Sequence, residues 1–483
     1  MKTLPNILFI IIDALRVKNL SCYGYEKEVS PNIDDLATRG VLFADAYSCI
    51  NTTDPSLTTI FSGRYPLSHG ILGHGARVTV EEINRFNTLG IQLLPEILKS
   101  HGYTTLAVDW LGRWHKRGYD YYSGIQPRGN IYVFIRQMLS KCPKLYDLIR
   151  SQKFIQNIRG KLPQSKTKPY EDAKAVTDKA IKLVNENKDK RFFLFIHYWD
   201  THFPYIPPRE YFEAKDDEVL KLFYLFTSRK FREDFADFER RIMDRKEEII
   251  ARYDGEISFV DHELRRLIDF LEKQSILGNT FIILTSDHGE SLVEHGIYMA
   301  HHGLYDETVH VPLIFVHPEL PKNKVIRGFV QHLDILPTIL DILNIKTDIE
   351  FDGKSILPLV EGNPIHSQVY AEEAYIEWKR MIRTHKWKYI YAPSEEKAIC
   401  RWCEHIHGGV EELYDLENDP AETQNIIEKE LDVASKLRNE LEKWVKRCQQ
   451  KMPKVHPPES KEAEMYNEDR KQIEDRLKSL GYI

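Results

Sequence analysis

Residues 6–13 read Asn-Ile-Leu-Phe-Ile-Ile-Ile-Asp, an apolar run that ends at an acidic residue. An uninterrupted run of this kind is typical of a strand that is buried on both faces, as in a parallel sheet. It does not suit an export signal, because it is short, ends at Asp13 and lacks a small-residue cleavage site. We therefore expect a parallel strand here and, by default, a cytoplasmic protein.

Strand and helix patterns alternate outward from this run. Strands are predicted at residues 41–47, 104–108, 192–197 and 280–285, and helices at residues 31–40 and 93–101. This alternation predicts an α/β fold with a mostly parallel sheet flanked by helices. Ligands of such sheets gather at the carboxyl ends of the strands. Asp13, residues 197–202, Asp287 and His288 all lie at such ends, which predicts one shared site.

The sequence changes in character after about residue 350. Residues 387–391 alternate like a strand, residues 412–416 resemble its partner, and a helix is expected over residues 428–449. We therefore predict three units in chain order: a catalytic α/β domain over residues 1–350, a small C-terminal α+β subdomain over residues 351–450, and a charged tail over residues 451–483.

Two charged segments interrupt the alternating pattern. Residues 133–170 hold nine lysines or arginines and one acid, Asp147. This composition predicts a basic helical insertion over residues 131–170, and we favour a helical cap with a solvated basic face over peripheral contact with a membrane or a lipid-like anion. Within residues 220–252, helical spacing favours a packing helix over a site, because apolar side chains recur at Phe231, Phe235, Phe238 and Ile242.

The composition restricts the class of protein. The chain has 483 residues, of which 42% are apolar and 29% charged, with a net charge of −6. These values suit a soluble enzyme with a substantial core and give no case for nucleic-acid binding. The six scattered cysteines fit reduced thiols. One segment could hold zinc through Cys400, Cys403, His405 and His407, but its spacing departs from common zinc modules and favours free thiols.

Several motifs resemble, in order, those of one enzyme family. The quoted stretches are Pro-Asn-Ile-Asp-Asp-Leu at 31–36, Thr-Asp-Pro-Ser at 53–56, Gly-Arg-Tyr-Pro-Leu-Ser-His-Gly at 63–70 and Thr-Ser-Asp-His-Gly-Glu at 285–290. Together with residues 6–16, 331–343 and 412–423, they resemble the sulfatase family of the alkaline phosphatase superfamily. The resemblance covers nearly the whole chain. It implies an alkaline-phosphatase-like fold and the cleavage of sulfate, phosphate or phosphonate esters.

The resemblance also implies a divalent metal. Asp13, Asp287 and His288 match the metal-binding motifs of the family residue by residue. Many members carry a second acid directly after the first, whereas this chain has Ala14. The missing carboxylate and the nitrogen ligand favour manganese or zinc over magnesium or calcium.

Thr53 stands where the sulfatase family has a cysteine or serine that becomes formylglycine, and Leu57 replaces the arginine of the signature. Threonine cannot be oxidised to formylglycine, so we expect none. Nucleotide pyrophosphatases, lipoteichoic-acid synthases and phosphoethanolamine transferases use a threonine, which favours phosphoryl chemistry through a covalent phosphothreonine. Thr52 and Ser56 are the alternative nucleophiles.

Further catalytic and substrate contacts are implied by the same resemblance. His202 matches a histidine that contacts the ester oxygens, and Asp200 would orient it or bind a second metal. Arg113 and His115, in Gly-Arg-Trp-His, match a lysine and a histidine that contact the nucleophile and the substrate, with surface groups as the alternative.

Two adjacent histidines replace a lysine that contacts the substrate in sulfatases. We favour His302 slightly as the general acid and take His301 as a substrate contact.

The leading hypothesis is thus a metal-dependent hydrolase of phosphate or sulfate esters with a covalent Thr53 intermediate. A transferase that passes the same group to a lipid or glycan is the first alternative, and a relative that only binds is the second. We expect a small anionic ester as the substrate, with a lipid or glycan as the group that carries it.

Overall fold

The computed structural model describes residues 4–124 and 170–451. The predicted basic insertion, apart from its last residue Tyr170, and the predicted tail beyond Lys451 lie outside the described residues.

The described residues form strands and helices in alternation through most of the chain. The strands are β1 (Asn6–Ile12), β2 (Val41–Phe43), β3 (Ala46–Tyr47), β4 (Thr104–Val108), β5 (Tyr121–Ser123), β6 (Phe192–Tyr198), β7 (Thr280–Thr285), β8 (Leu313–Val316), β9 (Lys324–Ile326), β10 (Val330–Gln331), β11 (Val369–Glu373), β12 (Lys379–Arg383), β13 (Trp387–Tyr391) and β14 (Glu411–Asp415). The helices are α1 (Pro31–Arg39), α2 (Thr53–Ser62), α3 (Pro66–His69), α4 (Val80–Thr88), α5 (Leu94–Ser100), α6 (Ala173–Asn187), α7 (Glu218–Thr227), α8 (Phe235–Asp244), α9 (Lys246–Lys273), α10 (Asp306–Val309), α11 (Ile335–Ile342), α12 (Leu357–Val360), α13 (Glu395–Ala398) and α14 (Leu431–Gln450).

The large sheet has the strand order β5-β4-β6-β1-β7-β8-β2-β9. Its neighbouring strands are parallel, except that β8 runs antiparallel to both β7 and β2. The apolar run of β1 lies at the centre and is completely buried, because β6 and β7 flank it and helices cover the faces of the sheet. The predicted mostly parallel α/β fold is confirmed.

The C-terminal part forms a second, antiparallel sheet with the order β11-β12-β13-β14. Helix α14 packs its apolar side chains, among them Leu441 and Trp444, against this sheet, and the ring of Trp444 stacks on Tyr370 at 4.9 Å between centroids. The predicted pairing of the strand at 387–391 with the one at 412–416 is confirmed by β13 and β14. The chain therefore has the expected α+β subdomain after the large sheet.

Two of the predicted elements are wrong in detail. The strand predicted at 41–47 is split, because Ala44 and Asp45 separate β2 in the large sheet from β3, which pairs with β10. The single packing helix predicted within residues 220–252 consists of α7, α8 and the start of α9. Arg229, with φ of 58°, and the 3-10 segment Lys230–Asp234 separate α7 from α8.

Phe231, Phe238 and Ile242 are nevertheless buried, as a packing role requires, and the rings of Phe231 and Phe238 lie 5.1 Å apart. In the part of the chain that the structure describes, no helix is both long and apolar enough to span a membrane.

Candidate active site

Three neighbouring strands of the large sheet bring polar side chains to one edge. Asp13 directly follows β1, Asp287 lies just beyond β7, and His197 is near the end of β6. The strands are parallel and in register, with Ile11 opposite both His197 and Thr285. Asp13, His197 and Asp287 each offer a ligand atom within 4.8 Å of the other two. The predicted convergence at the carboxyl ends of the strands is therefore observed.

His288 completes this group, which we call the strand-end cluster: Asp13, His197, Asp287 and His288. His288 Nε2 lies 3.3 Å from Asp287 Oδ2 and 3.7 Å from Asp13 Oδ1, and His197 Nε2 lies 3.8 Å from Asp13 Oδ2. All four side chains are completely buried.

The strand-end cluster has the properties of a cation site. Both carboxylate oxygens of Asp13, Oδ2 of Asp287 and Nε2 of His197 have no hydrogen-bond partner among the described residues. Buried polar atoms are normally hydrogen-bonded, so four such atoms facing each other call for a ligand. Burial and the neighbouring Asp287 carboxylate raise the pKa of Asp13 well above its usual range, a repulsion that a divalent cation would remove. Carboxylate and imidazole donors together fit manganese or zinc.

Thr53 lies beside this cluster at the first position of α2. Its Oγ1 is 3.4 Å from His288 Nε2. The stretch from Thr53 to Ser62 is helical: Pro55 is tolerated in a first turn, and Gly63 ends the helix in the left-handed region at φ 65°. The amino end of a helix favours negative charge, which suits a hydroxyl that must give up its proton.

The two alternative nucleophiles have different surroundings. Ser56 Oγ donates a hydrogen bond of 2.7 Å to the carbonyl oxygen of Asp287, so its hydroxyl is already occupied by the backbone. Thr52 precedes α2, and its Oγ1 has no hydrogen-bond partner among the described residues.

Arg113 and His115 contact Asp54, the residue after Thr53. The Arg113 guanidinium donates a short hydrogen bond to Asp54 Oδ1, and His115 Nε2 lies 3.3 Å from the same oxygen. His74 Nδ1 lies 3.1 Å from Asp54 Oδ2. Burial by itself would raise the pKa of Asp54, but Arg113 and the two histidines outweigh it and hold that pKa well below its usual range. These residues thus anchor the first turn of α2.

Three buried histidines of the candidate site carry their ring proton on the same nitrogen. The Nδ1 atoms of His288, His301 and His202 lie 2.8, 2.6 and 2.7 Å from the carbonyl oxygens of Gly289, Asn51 and Phe203. A carbonyl only accepts, so Nδ1 carries the proton and the neutral ring presents the lone pair of Nε2. Burial lowers the pKa of His202 to about 4 and the pKa of His301 well below its usual value, which keeps both rings neutral.

His301 belongs to this site, whereas His302 does not. The ring of His301 stacks on His288 with centroids 4.3 Å apart, and that of His202 follows at 6.0 Å from His301. His302 Nε2 instead lies 3.5 Å from Cys400 Sγ, in a separate group of side chains. The two adjacent side chains therefore point to different sides of the chain. Asp200 is completely buried in the turn between β6 and His202.

Two members of the site, His197 and Asp109, are not singled out by the sequence. His197 stands out only as the start of the strand-end segment 197–202. Asp109 Oδ1 lies 2.9 Å from His197 Nδ1, which aims Nε2 of that ring at Asp13. Asp109 directly follows the predicted strand at 104–108, so the rule that found Asp13 could also have found Asp109.

The comparisons with known proteins cover nearly the whole chain. A family model described as "Sulfatase" matches residues 5–345, and one described as "N-sulphoglucosamine sulphohydrolase, C-terminal" matches residues 293–451. A sulfatase of Formosa agariphila is 27% identical over 446 residues, which are 87% of this chain and 82% of the relative. An N-acetylglucosamine-6-O-sulfatase of Bacteroides thetaiotaomicron is 24% identical over 98% of this chain and 91% of its own length.

A solved structure with a similar fold is the phosphonate monoester hydrolase of Agrobacterium radiobacter. It superimposes with a TM-score of 0.65 over 92% of this chain and 96% of that one, at 19% sequence identity. At that identity the likeness concerns the fold, and it agrees with an alkaline-phosphatase-like sheet.

Proposed function

This chain belongs to the sulfatase family, and we propose that it is a metal-dependent ester hydrolase in which Thr53 is the nucleophile. The family is one of sulfuric ester hydrolases, which gives the class of reaction. The observation that carries the proposal is the position of the Thr53 hydroxyl, 3.4 Å from His288 Nε2 at the border of a buried cluster of unpartnered carboxylate and imidazole atoms.

The strand-end cluster would hold the metal through Asp13, His197, Asp287 and His288. A divalent cation there supplies positive charge for the ester oxygens and lowers the pKa of a hydroxyl beside it. Manganese and zinc suit this mixed donor set best.

Thr53 favours esters of phosphorus. Its Oγ1 would form a bond to phosphorus while the bond to the leaving oxygen breaks, and that oxygen takes up a proton. Water would then attack the phosphorus of the phosphothreonine and release Oγ1. A formylglycine hydrate can instead expel its sulfate by breaking a carbon–oxygen bond, because a second hydroxyl sits on the same carbon. Threonine has no such hydroxyl, so its adduct must be hydrolysed at the phosphorus or sulfur atom itself.

The general-acid role expected of His302 passes to His301, whose ring stacks on His288 at 4.3 Å and lies 6.0 Å from that of His202. An anionic ester bound beside these rings would raise their pKa values and favour protonated forms that donate from Nε2. The role proposed for Asp200 is to orient His202 or to bind a second metal. The substrate we propose is a small anionic ester, and the N-acetylglucosamine-6-O-sulfatase relative supports a glycan as the group that carries it.

The test is a panel of nitrophenyl esters with the purified full-length chain. A sulfate, a phosphate monoester, a phosphate diester and a phosphonate are each assayed with manganese, zinc, magnesium and calcium, with and without glycerol. We expect turnover of a phosphorus ester with manganese or zinc, and release of inorganic or monoester product rather than a glycerol adduct. Preferential turnover of the sulfate would contradict the preference for phosphorus, and a glycerol adduct as the main product would indicate a transferase.

The nucleophile is tested by substitutions at neighbouring hydroxyls. Thr53→Ala should lower kcat by roughly a million-fold, the size of the loss when an enzyme's nucleophile is removed. Thr53→Ser should retain part of the activity, and Thr52→Ala, one residue away, should retain most of it. Mass spectrometry of acid-quenched enzyme should find phosphate on the peptide that contains Thr53. Undiminished turnover by Thr53→Ala would refute the assignment.

We also propose a cytoplasmic location, which the thiols support: the five cysteines within the described residues are not disulfide-bonded. Fractionation of the source cells tests this location. Recovery of the chain outside the cytoplasmic fraction would refute it.

A further inference from the structure

A second group of ligand-type side chains lies where the chain after Ala300 meets the C-terminal sheet. We call it the thiol–imidazole cluster: His302, Glu377, Cys400, Cys403 and His407. His302, Glu377, Cys400 and His407 each offer a ligand atom within 4.8 Å of the other three. Cys403 Sγ lies 3.1 Å from His407 Nε2, and Cys400 Sγ lies 3.5 Å from His302 Nε2. All five side chains are buried.

The cluster contains buried polar atoms that the protein satisfies poorly. Nδ1 of His302 and Oε1 of Glu377 make no hydrogen bond to any described residue, and Oε2 of Glu377 is held by an ion pair. Lys379 lies 3.2 Å from Glu377 Oε2 and is also bonded to Glu412 Oε1 at 2.9 Å, so one cation is shared between two buried carboxylates. Buried atoms of this kind are costly unless a further group binds them.

We propose that Cys400, Cys403, His302 and His407 bind a structural zinc ion, with Glu377 as the carboxylate beside it. Two thiolates and two imidazoles form a closed tetrahedral zinc shell, and thiolates select zinc over the hard cations that carboxylates prefer. The two thiolates balance the charge of the ion.

The proposed ligands differ by one residue from the set Cys400, Cys403, His405 and His407 that the sequence suggests. His405 turns away: its Nδ1 lies 2.8 Å from the carbonyl oxygen of Cys403, and its ring stacks on Phe235 at 4.7 Å. His302, about a hundred residues earlier in the chain, takes its place. A short-range motif search cannot find a ligand that only the fold brings near.

Aromatic side chains shield the cluster from solvent. A small apolar pocket lies against it, lined by Phe226, Phe231, Phe235 and Phe238 together with the two thiols and His302. An apolar shell of this kind limits water access and strengthens metal binding. The phenylalanines of residues 220–252, which are predicted to pack, thus pack against the thiol–imidazole cluster.

The zinc ion would connect the C-terminal part of the chain to the candidate active site. His302 directly follows His301, whose ring stacks on His288 at 4.3 Å. Fixing His302 to Cys400 and Cys403 therefore fixes the backbone that carries His301. The ion would position His301 without touching the substrate.

Cobalt substitution distinguishes this site from the strand-end cluster, because only thiolate ligands give a thiolate-to-cobalt charge-transfer band in the near ultraviolet. The full-length protein is stripped of metal under reducing conditions and titrated with cobalt. We expect the charge-transfer band in the wild type and in Asp13→Asn, and about one bound zinc per chain in Asp13→Asn after zinc loading. Cys403→Ser should weaken the band markedly, because one of its two thiolates is gone, whereas the matched thiol control Cys22→Ser should keep it at full intensity.

Two results would overturn the proposal. One is a wild-type protein that binds cobalt without a thiolate band. The other is a Cys400–Cys403 disulfide, found by mass spectrometry of a non-reduced digest, in active protein. If Cys403→Ser does not fold, the spectrum of the wild type and the zinc content of Asp13→Asn decide the question by themselves. Because neither readout is an activity, the proposal can fail without affecting the assignment of Thr53, and the reverse also holds.

Discussion

At the scale of single residues, the orientation of the His197 ring depends on its partner Asp109. Its Nδ1 lies 2.9 Å from Asp109 Oδ1, and this contact orients the ring so that Nε2 faces Asp13. Asp109 itself accepts a short hydrogen bond from the Tyr122 hydroxyl, so its carboxylate cannot rotate freely. Outer carboxylates of this type raise the basicity of a metal-binding imidazole and hold its orientation.

Asp109→Asn should therefore weaken metal binding at the strand-end cluster. The expected loss is about 10- to 100-fold in affinity for manganese or zinc, because the amide neither carries charge nor fixes the ring as well. Competition with a chromophoric chelator measures it. Asp120→Asn is the matched control, since Asp120 is partly exposed and pairs with Lys99 outside the cluster. Equal affinities for wild type and Asp109→Asn would show that Asp109 does not support metal binding through His197.

At the scale of elements, the first turn of α2 positions the proposed nucleophile. Asp54 is completely buried there, and its carboxylate accepts hydrogen bonds from Arg113 and, at 2.6 Å, from the backbone N–H of Gly75. His115 Nε2 and His74 Nδ1 lie 3.3 and 3.1 Å from the same carboxylate. A buried carboxylate needs this number of donors, because its charge is otherwise not compensated. The resemblance implies that Arg113 and His115 contact the nucleophile and the substrate, whereas their contacts with Asp54 point to a positioning role.

Arg113→Gln should lower stability as well as activity. It leaves the Asp54 charge buried with weaker partners, which costs about 3–5 kcal/mol in the free energy of unfolding. Urea denaturation measures this loss. The double variant Asp54→Asn, Arg113→Gln should recover part of it, because the charge that lacked a partner is gone. If Arg113 acts only on the substrate, Arg113→Gln will raise KM and leave the urea midpoint unchanged.

At the scale of the whole molecule, the C-terminal sheet completes the candidate active site. Glu373, at the end of β11, accepts hydrogen bonds from Asn51 Nδ2 at 3.0 Å and from the Gly303 N–H at 2.7 Å. The backbone carbonyl oxygen of the same Asn51 accepts a hydrogen bond from Nδ1 of His301. The backbone N–H of Glu372 donates to the carbonyl oxygen of Cys49 at 3.0 Å. The two parts of the chain are therefore joined next to Thr53.

This junction should make stability depend on pH. Burial raises the pKa of Glu372 from its ordinary value of 4.5 to about 7, and Arg380 at 3.7 Å offsets only part of that rise. The folded protein thus holds a proton that the unfolded chain releases above pH 4.5, so stability falls as pH rises from about 4.5 to about 7. The contribution of this one group is at most about 3 kcal/mol.

Glu372→Gln should remove that dependence, because the amide does not ionise. Thermal unfolding at pH 5.5 and pH 8 measures it, with Tm of the wild type decreasing more than Tm of the variant. Glu361→Gln is a suitable control, since Glu361 is exposed at the end of α12. Parallel pH profiles for wild type and Glu372→Gln would show that Glu372 is not the group responsible.

The sequence by itself determined the central strand, the mostly parallel sheet, the C-terminal strand pair and the residues Asp13, Asp287, His288 and Thr53 of the candidate site. Periodicity and strand ends are local properties, so they can be seen in an unaligned sequence. The family motifs are likewise short and contiguous.

Only the tertiary structure decided which side chains meet. It placed His301 beside His288 and turned the adjacent His302 towards Cys400, joined Asp109 to His197, and directed Arg113 to Asp54. These contacts join residues that are 13 to 98 positions apart, or direct neighbouring residues to opposite sides of one segment. Their distances depend on how strands stack and sheets dock, which no local pattern specifies.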